Sequence, residues 1–284
     1  MPELRRTSPT DRYFDYCLQP YRPRRPPEGK LRADNLLLET LAQAELLDAA
    51  APILEALQAG LGRDMVVWGA KHDGARYFWE LYVYDPQNEA PEASVAGLTE
   101  LLAPHLRVVP TVPESVPSMM VSFDLDADVL ASGEIRELNL YLTGTDEHMG
   151  RSYVVGESGA ELENTYRFLR PKPDVDLVLG LLKSSLFVDL SDPITLARVI
   201  PPELFACKRV CVAKKRHRDG VYFSGIDVEQ LLWFLRRHGY PAPLLRFVDT
   251  HAADLDHLWF DVGIDYEPSD GGVRFPKTSF YGTL

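Results

Sequence analysis

The sequence predicts an α/β chain folded as a closed antiparallel β-barrel surrounded by α-helices, and three observations predict it. Hairpin patterns of period two alternate with helical stretches of period three to four along most of the 284 residues. One face of each strand pair is uniformly apolar. The other carries tyrosines among charged and hydrogen-bonding groups, a composition that suits neither a wet sheet face nor a sandwich core.

Hydrophobic residues at 45% and charged residues at 25% are ordinary globular values, which argue against long disorder. A formal net charge of −12 weighs against non-specific binding to nucleic acid or anionic membranes. Cys17, Cys207 and Cys211 are too few for a disulfide framework or a four-thiolate zinc site, so a reducing cytoplasmic setting is expected. No apolar run reaches the roughly 18–20 residues of a membrane span, and no signal-peptide core is evident.

Two regions are expected, a Pro/Arg-rich N-terminal arm over 1–30 and a single barrel domain over 31–284. The arm holds Arg5, Arg6, Arg12, Arg22, Arg24, Arg25 and Lys30 among six prolines, a composition that resists regular structure. It reads as a solvated tail that Tyr13, Phe14, Tyr16 and Tyr21 could anchor. From Leu31, leucines at three- and four-residue spacing predict helix up to Gly60 and Gly62, divided at Pro52. The period then switches: 65–71 and 77–84 flank Asp73-Gly74, a strong hairpin signal. A helical stretch over 93–107, strand pairs at 118–127 with 135–143 and 152–156 with 163–169, and helical stretches at 174–187 and 194–205 follow. The hairpin 208–214 with 220–224 comes next. It leads into a helix over 228–238 with Asp227 as N-cap, Gln230 completing a capping box, and Gly239 and Pro241 as its stop. The last strands are expected at 244–248, 256–266 and 273–283.

Splitting the strands by alternation gives the two rows. Trp79, Leu81 and Val83, Leu138, Leu140 and Leu142, Val221 and Phe223, and Leu258, Phe260, Val262 and Ile264 form the apolar one. The second holds Glu80, Tyr82 and Tyr84; Asn139, Tyr141 and Thr143; Asn164 and Tyr166; Tyr222 and Ser224; His257, Trp259 and Asp261; Lys277, Ser279 and Tyr281. A closed barrel accounts for both, with the apolar row under helices and the tyrosine row lining a lumen. A curved open sheet with one wet, tyrosine-rich face is the alternative.

The pattern over 64–284 resembles the soluble aromatic prenyltransferases of the ABBA, or PT-barrel, type. The resemblance is carried by Trp68-Gly69-Ala70-Lys71 leading to Trp79-Glu80-Leu81-Tyr82-Val83-Tyr84, and by Asn164-Thr165-Tyr166-Arg167-Phe168 with Pro171. Lys214-Lys215-Arg216 before Val221-Tyr222-Phe223-Ser224, the helix ending at Gly239-Tyr240-Pro241, Leu255-Asp256-His257-Leu258-Trp259-Phe260 and Lys277-Thr278-Ser279-Phe280-Tyr281 complete it. The order and spacing of these pieces carry the weight.

The resemblance implies about ten antiparallel strands in repeated hairpin-helix units. It also implies transfer of an allylic prenyl group from a prenyl diphosphate to an electron-rich aromatic acceptor, as in secondary metabolism. It places Lys71, Arg216, Lys277 and Tyr281 on the diphosphate, and Tyr166 and Tyr222 around the allylic cation. Such chemistry needs cationic and hydroxyl donors for the leaving group, aromatic faces for the cation, and exclusion of water. The chain departs from the family at Asn164 and His257, where a lysine and an arginine are frequent, and at Tyr82, where magnesium-using members have an aspartate. No cofactor is therefore expected and magnesium is doubtful.

Glu80 is the candidate for holding the polar edge of the acceptor or taking its proton, with a salt bridge to Lys71 as the plain competitor. Tyr82, Tyr141, Asn164, His257 and Trp259 are expected in the lumen. Lys277 could instead be a solvated terminal lysine, and Arg216 part of a solvated hairpin tip. Asp124, Asp126 and Asp128 mimic a calcium loop without its glycine or final glutamate, and His251 and His257 with Asp254 and Asp256 have no metal geometry. A non-catalytic binder of a small hydrophobic or aromatic molecule, and an interaction scaffold, remain the other readings.

Overall fold

The computed structural model describes residues 3–87, 89–113, 115–143 and 148–284. Helices α1 (Asp34–Gln43) and α2 (Leu47–Leu61) precede the first hairpin, β1 (Val66–His72) and β2 (Tyr77–Tyr84). Then come α3 (Val95–Leu102), β3 (Arg107–Val108), β4 (Met120–Leu125), α4 (Ala127–Ser132), β5 (Glu134–Ile135) and β6 (Leu138–Thr143). The hairpin β7 (Met149–Gly156) and β8 (Gly159–Leu169) leads through α5 (Val175–Lys183) and α6 (Pro193–Val199) to β9 (Arg209–Lys215) and β10 (Asp219–Ile226). Helices α7 (Val228–Arg237), α8 (Ala242–Thr250) and α9 (Ala252–Leu255) precede the closing pair, β11 (Phe260–Ser269) and β12 (Gly272–Thr283).

Ten strands close in the order β1-β12-β11-β10-β9-β8-β7-β6-β4-β2, all antiparallel, so the open-sheet alternative is excluded. The short β3 and β5 pair separately. Trp68, Trp79, Phe123, Phe223, Phe260 and Phe280 point outward and are fully buried, which makes the layer between barrel and helices the main core. Trp79 also donates its indole N–H to Thr40 on α1 at 2.9 Å, tying the first hairpin to the first helix.

Several boundaries differ from expectation for local reasons. Helices α1 and α2 separate at Ala44 to Leu46, where Glu45 adopts φ +59°, and Pro52 sits inside α2. Residues 244–248 are helical, not a strand. Pro241 and Pro243 preset the first turn of α8, and Leu244 and Val248, four apart, are its buried stripe. The helix expected over 93–107 ends at Leu102. The capping box of α7 forms as expected: Asp227 accepts from the Gln230 backbone N–H at 2.9 Å and Gln230 from that of Asp227 at 3.0 Å.

Residues 3–30 lie on the body rather than extending as a solvated tail. Tyr13 packs edge-on against His257, Arg24 lies over the Trp259 ring, and Arg24 pairs with Asp227. Aromatic and basic side chains of the segment together supply the anchor.

Candidate active site

Strand alternation decides what enters the lumen. On β1 and β2 the inward residues are Val67, Gly69 and Lys71, and Glu80, Tyr82 and Tyr84, and Gly69 stands opposite both Glu80 and Tyr281. A Cβ at Gly69 would meet the Tyr281 ring at 2.7 Å, and one at Gly263 would meet the Tyr222 ring at 2.6 Å. Glycine on these strands therefore makes room for tyrosine rings. Tyr82, Tyr141, Tyr166, Tyr222 and Tyr281 line one cavity with Met119, Met120, Phe168 and Cys211, about 180 Å³ of open space. Their rings form a nearly continuous belt: Tyr141 lies 6.1 Å from Tyr166, Tyr82 6.2 Å from Tyr141 and 6.1 Å from Tyr281, and Tyr222 6.3 Å from Tyr281. Burial pushes every one of these phenols above its ordinary value, and the Glu80 carboxylate adds to this at Tyr82 and Tyr141. They remain neutral rings and donors at any physiological pH.

At one end of the belt stand three lysines. Lys71 contacts Glu80 at 2.6 Å and Asp124 at 2.8 Å, Lys215 contacts Asp265 at 2.5 Å, and Lys277 lies 3.4 Å from the same Asp265. Burial lowers the Lys277 ammonium below the usual lysine range. Asp265 opposes that shift, and the charges of Lys71 and Lys215 reinforce it. Lys277 therefore feels the charges of both Lys71 and Lys215 at this end of the barrel.

Glu80 is the hub of this end. Its carboxylate accepts from Lys71, from Tyr82 at 2.6 Å and from Ser122, with Asn139 and Tyr141 at 3.4 Å. Burial alone would raise its pKa, but the Lys71 charge and these donors outweigh it and hold the group at about 2. The salt bridge named as its competitor is thus formed. A carboxylate this acidic is a hydrogen-bond acceptor for a ligand's polar edge and a poor proton acceptor.

Tyr166, Tyr222, Tyr281, Lys71, Lys277, Tyr82 and Tyr141 are brought to the lumen, as is buried Asn164, whose amide donates to Ser152 and to Tyr166, both at 2.9 Å. Arg216 is not in the lumen. It lies on the exposed end of the β9 hairpin, paired with Glu161, because alternation from Cys211 and Ala213 carries Lys215 inward and its neighbour out. Nor are His257 and Trp259. Strand β11 begins only at Phe260, after the turn that ends α9, so His257 is buried beneath Tyr13 and Trp259 faces Arg24 and Lys208. Lys215 and Asp265 are the main residues that sequence reasoning missed, although the period-two pattern through Cys211 and Ala213 pointed to Lys215.

The acidic triplet has other duties: Asp126 caps α4 and Asp124 binds Lys71. Among the described residues no cluster of three or more His, Cys, Asp or Glu could hold a metal, and no helix is long and apolar enough to cross a membrane.

No family model and no curated protein sequence matches the chain. Its structure is similar to the crystal structure of AnaPT from Neosartorya fischeri. The TM-score is 0.50 and the identity 8%, over 88% of this chain and 92% of that one. At that identity the likeness speaks for architecture: the chain has the PT-barrel fold, a closed antiparallel barrel of ten strands surrounded by helices.

Proposed function

We propose that the chain transfers an allylic prenyl group from a prenyl diphosphate to an electron-rich aromatic acceptor. The observation that carries this reading is the inward placement of three lysines beside the tyrosine belt: Lys71 on the Glu80 carboxylate that Tyr82 also bonds, Lys215 with its ammonium 5.5 Å from the Tyr222 ring, and Lys277 beside the Asp265 that Lys215 shares. A diphosphate bound there takes over the ammonium groups now shared with Asp265 and Glu80. The allylic C–O bond breaks with its electron pair leaving on the diphosphate, and the lysines stabilise that charge. The belt of Tyr82, Tyr166, Tyr222 and Tyr281 presents neutral π-faces to the cation and keeps water away. A ring carbon of the acceptor, held through its polar edge by Glu80, forms the new C–C bond. The ring proton then passes to the retained diphosphate, a stronger base than Glu80.

The carboxylates facing the lysines favour one second reading. Glu80, Asp124 and Asp265 already neutralise the cationic end, as suits a binder of an uncharged aromatic or hydrophobic molecule. An assay of pyrophosphate release and product mass separates the two. The protein is incubated in excess EDTA with dimethylallyl, geranyl or farnesyl diphosphate and a panel of phenols and indoles. Acceptors gaining whole isoprene units in step with pyrophosphate are expected, without added magnesium because Tyr82 supplies a phenol where a metal would need a carboxylate. No product under any condition, or turnover that appears only on adding magnesium, contradicts the reading or its metal-free form respectively.

A further inference from the structure

The end of the barrel opposite the lysines is closed by chain that belongs to no barrel strand. Residues 14–20 form a small finger: Phe14 bridges to Pro20, Asp15 donates its backbone N–H to Gln19 O at 3.0 Å, and Leu18 donates to Asp15 O at 2.9 Å. Leu18 takes φ +53°, the left-handed conformation that turns the chain back. The Asp15 carboxylate accepts from the backbone of Cys17 and of Gln19, both at 2.9 Å, so the finger holds its own shape. It is locked to the barrel by Tyr16 N–H to Asp261 at 2.8 Å, by the Tyr84 hydroxyl to Tyr16 O, and by Arg209 beside Asp15 at 3.6 Å.

Its tip is part of the cavity wall. Tyr16 stacks on Tyr222 at 6.3 Å with the planes 16° apart and lies 5.5 Å from Tyr281, and Cys17 lines the same space. Behind the finger a second, smaller hollow is lined by Tyr13, Phe14 and Trp259, and Tyr281 borders both. Tyr16 and Cys17 therefore bound the tyrosine-lined cavity at its end remote from the lysines, where the tail of an apolar chain would reach.

We propose that Tyr16 and Cys17 are specificity-determining residues, forming the floor that sets how long a prenyl chain the lumen accepts. The ligand class is taken from the proposed function. Chain-length selection by the floor is the new element. Replacing the Tyr16 ring by a methyl group deepens the cavity, and filling the Cys17 position makes it shallower. Because the two changes act in opposite directions, a general loss of stability cannot imitate both.

The test measures binding of dimethylallyl, geranyl and farnesyl diphosphates, and of the three matching alcohols, to the wild type, Tyr16→Ala, Tyr16→Phe and Cys17→Phe. Circular dichroism first verifies that each variant is folded. The expected result is a shift of the farnesyl-to-dimethylallyl affinity ratio of at least about tenfold toward farnesyl in Tyr16→Ala, since several more methylenes are buried. A shift toward dimethylallyl is expected in Cys17→Phe, and little change in Tyr16→Phe, which keeps the ring. Ratios that do not move in either series overturn the proposal, as does the absence of binding by both series to every folded variant. Alcohols that follow the pattern while diphosphates bind no better would preserve the floor and remove the transferase reading.

Discussion

Asp261 and Asp15 meet where the finger enters the lumen, and their shared charge gives stability a pH dependence. Burial first, and then the Asp15 charge, push the Asp261 carboxyl up to about 7 against donors from Ser224, Tyr16 and Gly225. Asp15 is raised as well by burial, opposed by Gln19, Cys17, Arg209 and Lys208. Tyr84, Tyr281 and Cys17 complete the surroundings and stay neutral. A folded-state pKa above the unfolded one means that the native state holds an extra proton, so this contribution is full below about pH 4 and is lost as pH rises toward 7. Glu80 works the other way, losing its stabilisation as pH falls from about 4.5 toward 2. Asp261→Asn removes the first effect. Its stability relative to wild type should rise by about 2 kcal/mol or more between pH 4 and pH 8 in urea titrations. The fixed cost of one lost acceptor does not vary with pH, and a difference that stays constant across the range would contradict the assignment. None of this was legible in the sequence, because Asp15 and Asp261 come together only through closure of the chain. Lys277 and Tyr281 were legible, since their alternation on a single strand fixes their face. Arg216 was misplaced by one residue, and on a strand one residue reverses the face.

Among the elements, α7 shows how far local signals reach. Its capping box, apolar stripe and stop residues all sit within one stretch of chain, and all formed as the pattern specified. Asp227 also receives Arg24 from the N-terminal segment at 3.3 Å. Asp227→Ala should therefore cost about 1–2 kcal/mol in chemical denaturation, the value of an N-cap with little added for the part-exposed ion pair. A loss below about 0.5 kcal/mol would show that the cap is replaced by water. Helix α8 was misread as a strand because a short apolar run fits either period. The Pro-Ala-Pro start was the signal that decides for helix. The finger could not be read at all. Its aromatic residues suggested anchoring, but Tyr16 N–H reaches a partner 245 positions away, a contact with no local signature.

The whole molecule follows from the two-faced composition of its strands. Apolar rows demanded a helical jacket, tyrosine rows demanded an enclosed face, and antiparallel closure of the ten strands met both by pairing each with two neighbours. His257 and Trp259 fell outside the lumen because the start of β11 depends on the turn after α9. The central claim is that this lumen holds a prenyl diphosphate through its lysine end, and calorimetric titration of the wild type, Lys277→Ala and Tyr281→Phe tests it most directly. Lys277→Ala leaves Asp265 paired with Lys215, so that carboxylate keeps a cationic partner. The account predicts saturable binding to the wild type and a loss of about 10- to 100-fold in Lys277→Ala, the cost of one charge-assisted contact. Tyr281→Phe, which keeps the ring and removes one neutral donor, should lose less. Equal affinity in all three proteins, or no binding by the wild type, would contradict it.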